Sequence, residues 1–405
     1  LSGILSYAGA LTYAELAARL PESGGEYAML NHAYGQRFGH LLGFLFGWMR
    51  FWIGSPGSIA AYGVAVATFL TGLFQVDSIP GGRPLIAIFF IALFSAINCF
   101  QVRFGANVQN FLTFLKMILI LGLALGAGLF GTTPDVALPS LTQTSTALSM
   151  QSGISAFGMA MIAALWAFDG WNSLPMVGGE IRDPQKNIPI ALGIGMLAVI
   201  TLYLSVNWAY FHVLTVEQIQ YAHSSAHREA LPVATLAAQT FLGDRGIPVL
   251  SMAFVVSALG AMNGCILTCA RVPYAMARDG VFWQKLGQTH AKTHVPIWSI
   301  IIQAVIACAL ALSGTFDQLT DYVVVASWGF YILVTGSIFL IRRRDQENKP
   351  AYHVPGYPVL PFLFMAAGLF LMANSLFRSP MEGLIGAGII VAGIPVYFYF
   401  RFRSN

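Results

Sequence analysis

An Asp-Gly pair stands inside one of the long apolar stretches of this sequence. Asp169 and Gly170 lie within residues 151–177, with Trp166 and Trp171 on either side. Asp and Gly are poor helix formers, and an aspartate at the middle of a bilayer is costly. Such an interruption is tolerated where the freed backbone lines a cavity or is buried in protein. The pattern therefore predicts a helix that breaks at residues 169–170.

A broken helix offers two kinds of binding group. The last carbonyls of its first half accept hydrogen bonds from an ammonium, and the first amides of its second half donate to a carboxylate. These are the charged ends of a zwitterionic amino acid, and secondary transporters use discontinuous helices in this way. The break therefore indicates a substrate site. The alternative is a kinked span in which Asp169 is paired structurally with Arg50 or Lys116.

Lys116 is a second candidate, because it lies inside the apolar stretch 107–131. Such a lysine is either a snorkelling anchor near the interface or a functional cation within the membrane. His290 and His294 have the i, i+4 spacing of a metal pair, but they flank a basic loop without a nearby carboxylate or cysteine. A solvated loop is the simpler interpretation. No metal and no cofactor is expected.

The elements that must position these residues are membrane spans. Of the 405 residues, 57% are hydrophobic and 9% are charged, whereas soluble domains carry about 25% charged residues. The apolar runs are continuous rather than alternating, which favours helices of about 20 residues per span over strands. We predict eleven spans, at 1–18, 39–73, 84–102, 107–131, 151–177, 188–214, 246–271, 296–314, 318–341, 358–377 and 381–400.

Basic residues predict the orientation of these spans. Of 21 Lys and Arg residues, fifteen fall in segments on one side and four on the other, with Arg50 and Lys116 inside spans. The positive-inside bias assigns the richer side, with the C-terminus, to the cytoplasm. Arg50 is expected near the interface because its stretch is long, and Glu15 and Glu26 at the cytoplasmic end and its gate. The chain opens inside an apolar run, so a helix is expected upstream of Leu1.

Several sequence blocks carry a resemblance to a known family. They are residues 13–27 (YAELAARLPESGGEY), 165–172 (LWAFDGWN), the loop from 180 to 189, 263–280, 379–382 and 393–397. On these blocks the chain resembles the amino acid–polyamine–organocation superfamily, and within it the L-type amino-acid transporter family, as a bacterial-like member. The resemblance covers essentially the whole chain, as one transmembrane domain over residues 1–405.

The resemblance implies an all-α membrane protein of the LeuT type. The expected fold has two inverted five-helix repeats plus two C-terminal helices, with eleven of twelve helices present. The missing first helix would hold the substrate carboxylate, and a chain without it is not expected to transport. The carbonyls of Trp166, Ala167 and Asp169 would meet the substrate ammonium, the Trp166 ring would close the site, and Asn172 would couple it to neighbouring helices. The substrate-binding set implied is Trp166, Ala167, Phe168, Asp169, Gly170 and Asn172.

Lys116 matches a lysine that members of the family carry in their fifth helix. The resemblance implies that its ammonium stands where sodium-coupled relatives bind a cation, with Ser257 as its polar neighbour. Transport would then be sodium-independent exchange or facilitated diffusion of L-amino acids, with small neutral ones preferred. Animal members carry a cysteine in the loop matching 75–83, which bonds a heavy chain; this loop has none. A plasma-membrane permease without a covalent partner is expected.

Other functions remain as alternatives. A proton- or sodium-driven symporter of the same fold would use Asp169 or Glu180 to carry the proton. An intramembrane enzyme would need clustered acids or histidines, or a nucleophile elbow, and the spans contain no such motif. A channel would need a filter or rings of charge, which the sequence also lacks. No nucleic-acid partner is expected.

Overall fold

A computed structural model describes residues 1–74, 81–132, 150–222, 231–313, 316–344, 352–378 and 380–404. Within these ranges the protein is helical and contains no strand beyond a single bridge between Ser23 and Val177. The α-helices are α1 Ser2–Arg19, α2 Glu26–Ala33, α3 Phe38–Met49, α4 Ser55–Phe74, α5 Gly82–Phe100, α6 Val102–Phe130, α7 Met150–Ala167, α8 Pro184–Val213, α9 Val216–Tyr221, α10 Val233–Leu242, α11 Gly246–Cys269, α12 Arg271–Arg278, α13 Ile297–Ser313, α14 Phe316–Arg344, α15 Val359–Arg378 and α16 Pro380–Ser404.

The described residues contain seven helical stretches long and apolar enough to cross a membrane. They are Phe38–Phe74, Gly82–Phe100, Val102–Phe130, Pro184–Val213, Val233–Arg278, Val359–Phe377 and Gly383–Phe402. Ala156–Leu165 and Ile297–Ser313 are shorter apolar helices. The protein is therefore a multi-pass, all-α membrane protein, while the count of eleven spans stays a prediction.

Large apolar side chains cover the outside of this helical assembly. On α6, for example, Phe104, Phe111, Phe114 and Phe130 are between 49% and 74% exposed. In water such a surface would be unfavourable, because burial of apolar area is the main drive to fold. In a bilayer it contacts lipid tails, while the backbone polar groups are satisfied inside each helix.

α4 lies at the centre of one half of the protein, where it packs against α5, α11, α13 and α14. In the same structure α1 packs against α8 and α15.

The predicted stretch 39–73 is one helical run that widens into a π-helical turn at Arg50–Gly54. Pro56 follows directly; it has no backbone N–H and its ring crowds the carbonyl of Trp52. That explains a π turn at this point rather than a regular α turn.

A cluster of charged groups ties α1 to α14 and to the segment before α15. The fully buried carboxylate of Glu15 accepts hydrogen bonds from Arg342 Nε at 2.9 Å, from Arg19 Nε at 3.0 Å and from the backbone amide of Val354 at 2.7 Å. The Arg342 guanidinium also lies over the Tyr357 ring, 3.8 Å from its centroid. We call these five residues the Glu15 clamp.

Candidate substrate site

The helix predicted over residues 151–177 is interrupted where the Asp-Gly pair stands. α7 ends at Ala167, and after a turn the chain continues as a 3₁₀ helix at Trp171–Met176. Gly170 has φ +117°, in the left-handed region that only glycine enters without strain. A Cβ at Gly170 would meet no described atom within 4 Å, so glycine is required there for its backbone angle and not for space.

Asp169 lies at the end of the broken helix, two residues after α7 ends. Asp169 is exposed. The Tyr331 hydroxyl of α14 donates a hydrogen bond to Asp169 Oδ1 at 3.1 Å. Within the described residues neither Arg50 nor Lys116 forms an ion pair with it. The structural pairing that was the alternative interpretation of this aspartate is therefore absent from that part of the chain.

The carbonyl groups at the end of α7 are only partly free. The Tyr203 hydroxyl of α8 donates to the carbonyl oxygen of Ala167 at 2.8 Å. The Phe168 ring packs edge-on against the Tyr203 ring, with centroids 4.9 Å apart. A carbonyl oxygen has two lone pairs, so Ala167 keeps one for a ligand. Trp166 belongs to the last turn of α7, and its side chain lies outside the described residues.

Asn172 connects the break to two other elements. Its buried side-chain amide Nδ2 donates to the Tyr331 hydroxyl at 3.1 Å and to Glu26 Oε1 at 3.4 Å. The Tyr13 hydroxyl of α1 donates to the same Glu26 oxygen at 3.1 Å. Asp169, Tyr331, Asn172, Glu26 and Tyr13 therefore form one continuous hydrogen-bonded chain, which we call the polar relay. It links the break to α14, α2 and α1.

Trp171 fills the space beside the polar relay. Its ring packs against Tyr13 with centroids 4.7 Å apart, against Phe364 at 5.9 Å and against Tyr331 at 6.0 Å. Aromatic pairs in these orientations stabilise beyond their buried area. Trp171 thus holds the second half of the break against α1, α14 and α15.

Arg50 is buried near the same centre, and its place relative to the membrane interface stays a prediction. It is 5% exposed, and its Nη2 donates to Cys269 Sγ at 3.0 Å. The Cys265 and Cys269 sulfur atoms are 3.5 Å apart on one face of α11. The positive charge of Arg50 acts on both Glu26 and Asp169, although its guanidinium contacts neither carboxylate.

α6 and α11 pack antiparallel through small and polar residues. Asn263 Nδ2 donates to Gln109 Oε1 at 2.9 Å, and a Cβ on Gly260 would lie 3.3 Å from Leu112 Cβ. Residue numbers therefore rise on α6 as they fall on α11. This pairing fixes the register of the two helices.

Lys116 and Ser257 lie one helical turn beyond that pairing, at the same level and both half-buried. No hydrogen bond joins the two side chains in the part of the chain that the structure describes. Their pairing stays a prediction.

Glu180, the other predicted proton carrier, is held by an ion pair. Arg271 Nε donates to its Oε1 at 2.8 Å and Arg271 Nη2 to its Oε2 at 3.2 Å, a bidentate geometry. Over the described ranges, no group of three or more His, Cys, Asp and Glu side chains is placed to hold a metal ion. Four free cysteines are present: Cys99, Cys265, Cys269 and Cys308. The loop at 75–83 that bears on a covalent partner lies largely outside the described residues.

Glu26, Arg50, Tyr13 and Tyr331 lie around the break, although the sequence placed Glu26 at the cytoplasmic gate, offered Arg50 only as a partner of Asp169, and assigned no role to Tyr13 and Tyr331. The only signal for Arg50 was a basic residue inside an apolar stretch. Glu26 and Tyr13 stand inside the block 13–27 that carries the resemblance, but nothing in their spacing predicts contact with residues 146 or more positions away.

A multi-pass helical protein with a broken helix, and a polar relay at the break, has features typical of a secondary transporter. Comparison with known proteins defines the family. The sequence matches the family model described as amino acid permease over residues 1–400. The chain therefore belongs to the amino acid permease family, as its resemblance to this superfamily predicts.

Individual relatives agree with this assignment. The chain is similar to the serine/threonine exchanger SteT of Bacillus subtilis, with 31% identity covering 100% of this chain and 88% of that protein. It is also similar to the b(0,+)-type amino acid transporter 1 of Mus musculus, with 28% identity over 98% of this chain and 78% of the relative. The large neutral amino acids transporter small subunit 2 of Mus musculus is 28% identical over 98% and 72% respectively.

Proposed function

We propose that this protein carries L-amino acids across a bilayer by sodium-independent exchange or facilitated transport. The observation that carries the proposal is the open carboxylate of Asp169 at the broken end of α7, in a chain of the amino acid permease family. An ionisable residue inside an apolar span of a membrane protein marks a substrate or ion pathway. Exchange is also the activity that the name of the SteT relative gives for that protein.

The substrate ammonium binds at the break in this proposal. The Asp169 carboxylate supplies the opposite charge, and the carbonyls of Trp166, Ala167 and Asp169 supply further acceptors. The Phe168 and Gly170 backbone shapes the turn, and the Trp166 ring closes the site. Asn172 couples the substrate site to α2 and α14, since its side chain contacts both Glu26 and Tyr331.

Lys116 takes the place of a coupling cation in this scheme. Its ammonium places a fixed positive charge between the helices, and Ser257 on α11 is its polar neighbour. The shared level of the two residues in the α6–α11 register supports this pairing. A fixed charge makes a mobile sodium ion unnecessary, which is why exchange is proposed to be independent of sodium.

The remaining features of the proposal follow the family. Residues 1–405 form a single transmembrane domain with inverted five-helix repeats and two C-terminal helices, in the plasma membrane, with the C-terminus in the cytoplasm. The protein acts without a covalent heavy chain, a cofactor or a nucleic-acid partner, and it is not an enzyme. Small neutral amino acids are the proposed substrates, in keeping with the serine and threonine named for the SteT relative.

A proton-driven symporter is the second candidate function. Asp169 has no ion pair in the described ranges, so its carboxylate is available to a proton. Glu180 suits this role less, because Arg271 holds it as an ion pair. Uptake that follows an imposed pH or sodium gradient would favour the symporter.

The experiment is counterflow of labelled amino acids in liposomes that contain the full-length protein. Uptake driven by internal unlabelled serine or threonine, with and without sodium, is measured for the native protein and for Lys116→Ala. Exchange that ignores sodium and is lost in Lys116→Ala supports the proposal. The matched control is Lys285→Ala, which removes a lysine that stacks on Trp298 outside the predicted spans and should leave exchange intact.

Other outcomes separate the alternatives. Uptake that requires sodium contradicts the role given to Lys116. No counterflow with any amino acid contradicts the substrate class itself.

A further inference from the structure

Glu26 is a fully buried carboxylate with half of its hydrogen-bonding capacity unused. Its side chain is 0% exposed at the start of α2. Oε1 accepts from the Tyr13 hydroxyl at 3.1 Å and from Asn172 Nδ2 at 3.4 Å. Oε2 has no hydrogen-bond partner among the described atoms. One oxygen is therefore satisfied, and the other is available to carry a proton.

No cation neutralises this carboxylate directly. Arg50 acts on it electrostatically, but the Arg50 guanidinium donates to Cys269 Sγ and forms no ion pair with Glu26 in the described chain. A buried ionised carboxylate without a paired cation carries a large desolvation cost, and uptake of a proton removes that cost.

The groups around Glu26 set the balance between its protonated and its ionised form. The charged and titratable groups that face it are Tyr13 on α1, Arg50 in the π turn, Asp169 at the break and Tyr331 on α14. Burial raises the pKa of Glu26 to about 7, although Arg50 and the hydrogen bonds from Tyr13 and Asn172 act in the opposite direction. α2 lies between the predicted spans 1–18 and 39–73.

The polar relay connects Glu26 with the place proposed for the substrate ammonium. Asn172 Nδ2 reaches Glu26 Oε1 and also the Tyr331 hydroxyl, and Tyr331 donates to Asp169 Oδ1 at 3.1 Å. Two hydrogen-bonding side chains therefore separate the two carboxylates. Ionised together, the two carboxylates would leave a net negative charge beside the single guanidinium of Arg50 in a buried site.

From this arrangement we infer that Glu26 binds one proton and that the amino acid displaces it. The inference rests on the proposed function, since it needs the substrate ammonium beside Asp169. A positive charge there favours the ionised form of Glu26, so proton and substrate oppose each other, and by linkage each weakens the binding of the other. The empty carrier holds the proton and the loaded carrier does not.

Two consequences can be measured. Substrate binding near pH 7 releases part of one proton, and the apparent affinity for the amino acid falls as the pH is lowered. If the substrate lowers the pKa of Glu26 by about one unit, the apparent Kd rises about eightfold between pH 8.5 and pH 5.5.

Calorimetry of serine or threonine binding to the full-length protein in detergent tests this. Titrations at pH 7 in buffers of different ionisation enthalpy give the number of protons released, and titrations at pH 5.5 and 8.5 give the change in Kd. Glu26→Gln keeps the acceptor oxygen for Tyr13 and Asn172 but cannot ionise, so proton release and the pH dependence should both disappear. The exposed Glu22→Gln is the matched control and should retain both.

Infrared difference spectroscopy between pH 6 and pH 8 tests Glu26 without substrate. The carbonyl band of a protonated carboxylic acid should be lost at pH 8 in the native protein and in Glu22→Gln, and this change should be missing in Glu26→Gln. Native binding without proton release, or a band change that survives in Glu26→Gln, overturns the inference. Failure of every amino acid to bind contradicts the proposed function instead, and the infrared band then still decides whether Glu26 titrates.

Discussion

Loss of Arg342 should destabilise the protein through the Glu15 clamp. Arg342→Ala removes two charge-assisted hydrogen bonds to Glu15 and the contact with the Tyr357 ring. Breaking a buried ion pair costs about 3–5 kcal/mol, because one charge stays buried without its partner. The Arg342 side chain is 19% exposed, and Arg19 still donates to Glu15, so the cost should lie at the lower end of that range. We expect a loss of about 3 kcal/mol in the free energy of unfolding.

Thermal unfolding in detergent, followed by tryptophan fluorescence, measures this loss. Arg343→Ala is the matched control, since it removes the same charge one residue along from an exposed position. Arg342→Lys keeps the charge but loses the bidentate geometry, so its Tm should lie between those of Arg342→Ala and the native protein. Equal melting temperatures for Arg342→Ala and Arg343→Ala would refute the clamp as a stabilising feature.

Three further predictions concern the break and its surroundings. Gly170→Ala should destabilise the protein by about 1–2 kcal/mol, because Gly170 has a left-handed φ. Gly193→Ala should instead stabilise it by about 0.5–1 kcal/mol, because Gly193 lies inside α8 with open space around its Cα. Chemical denaturation in micelles compares the two variants. Trp171→Ala should cost about 3 kcal/mol through lost ring packing, and unchanged melting would contradict that packing. Glu180→Gln should leave Arg271 without its charge partner and lower Tm, and Tm equal to that of the native protein would show that the ion pair is not stabilising.

The break was predictable from the sequence because its causes are local. Asp169 and Gly170 are adjacent, both disfavour helix, and the apolar context makes their presence costly. The structure ends α7 at Ala167, two residues before the pair. The second half differs from the expectation of a resumed helix, since it is a 3₁₀ segment at Trp171–Met176 that contains Pro175.

The polar relay was not predictable in the same way, because its contacts join distant parts of the chain. Glu26 and Asn172 are separated by 146 positions, and Asn172 and Tyr331 by 159. No periodic pattern in the sequence predicts contacts between residues so far apart. Arg50 shows a related limit, since nothing in the apolar stretch 39–73 predicts that its side chain is buried against Cys269, 219 positions away.

The hydrogen bond from Tyr203 to the end of α7 has a mechanical consequence. It joins the last turn of α7 to α8, and the Phe168–Tyr203 ring contact reinforces this union. The other side of the break is fixed differently, since Trp171 and Asn172 are held by α1, α2, α14 and α15. Within the chain, Asp169 and Gly170 connect the two sides of the break, and the open space around Gly170 leaves room for its backbone to turn. Because α1 packs against both α8 and α15, and α7 packs against α15, a movement of α8 would shift both sides of the break together.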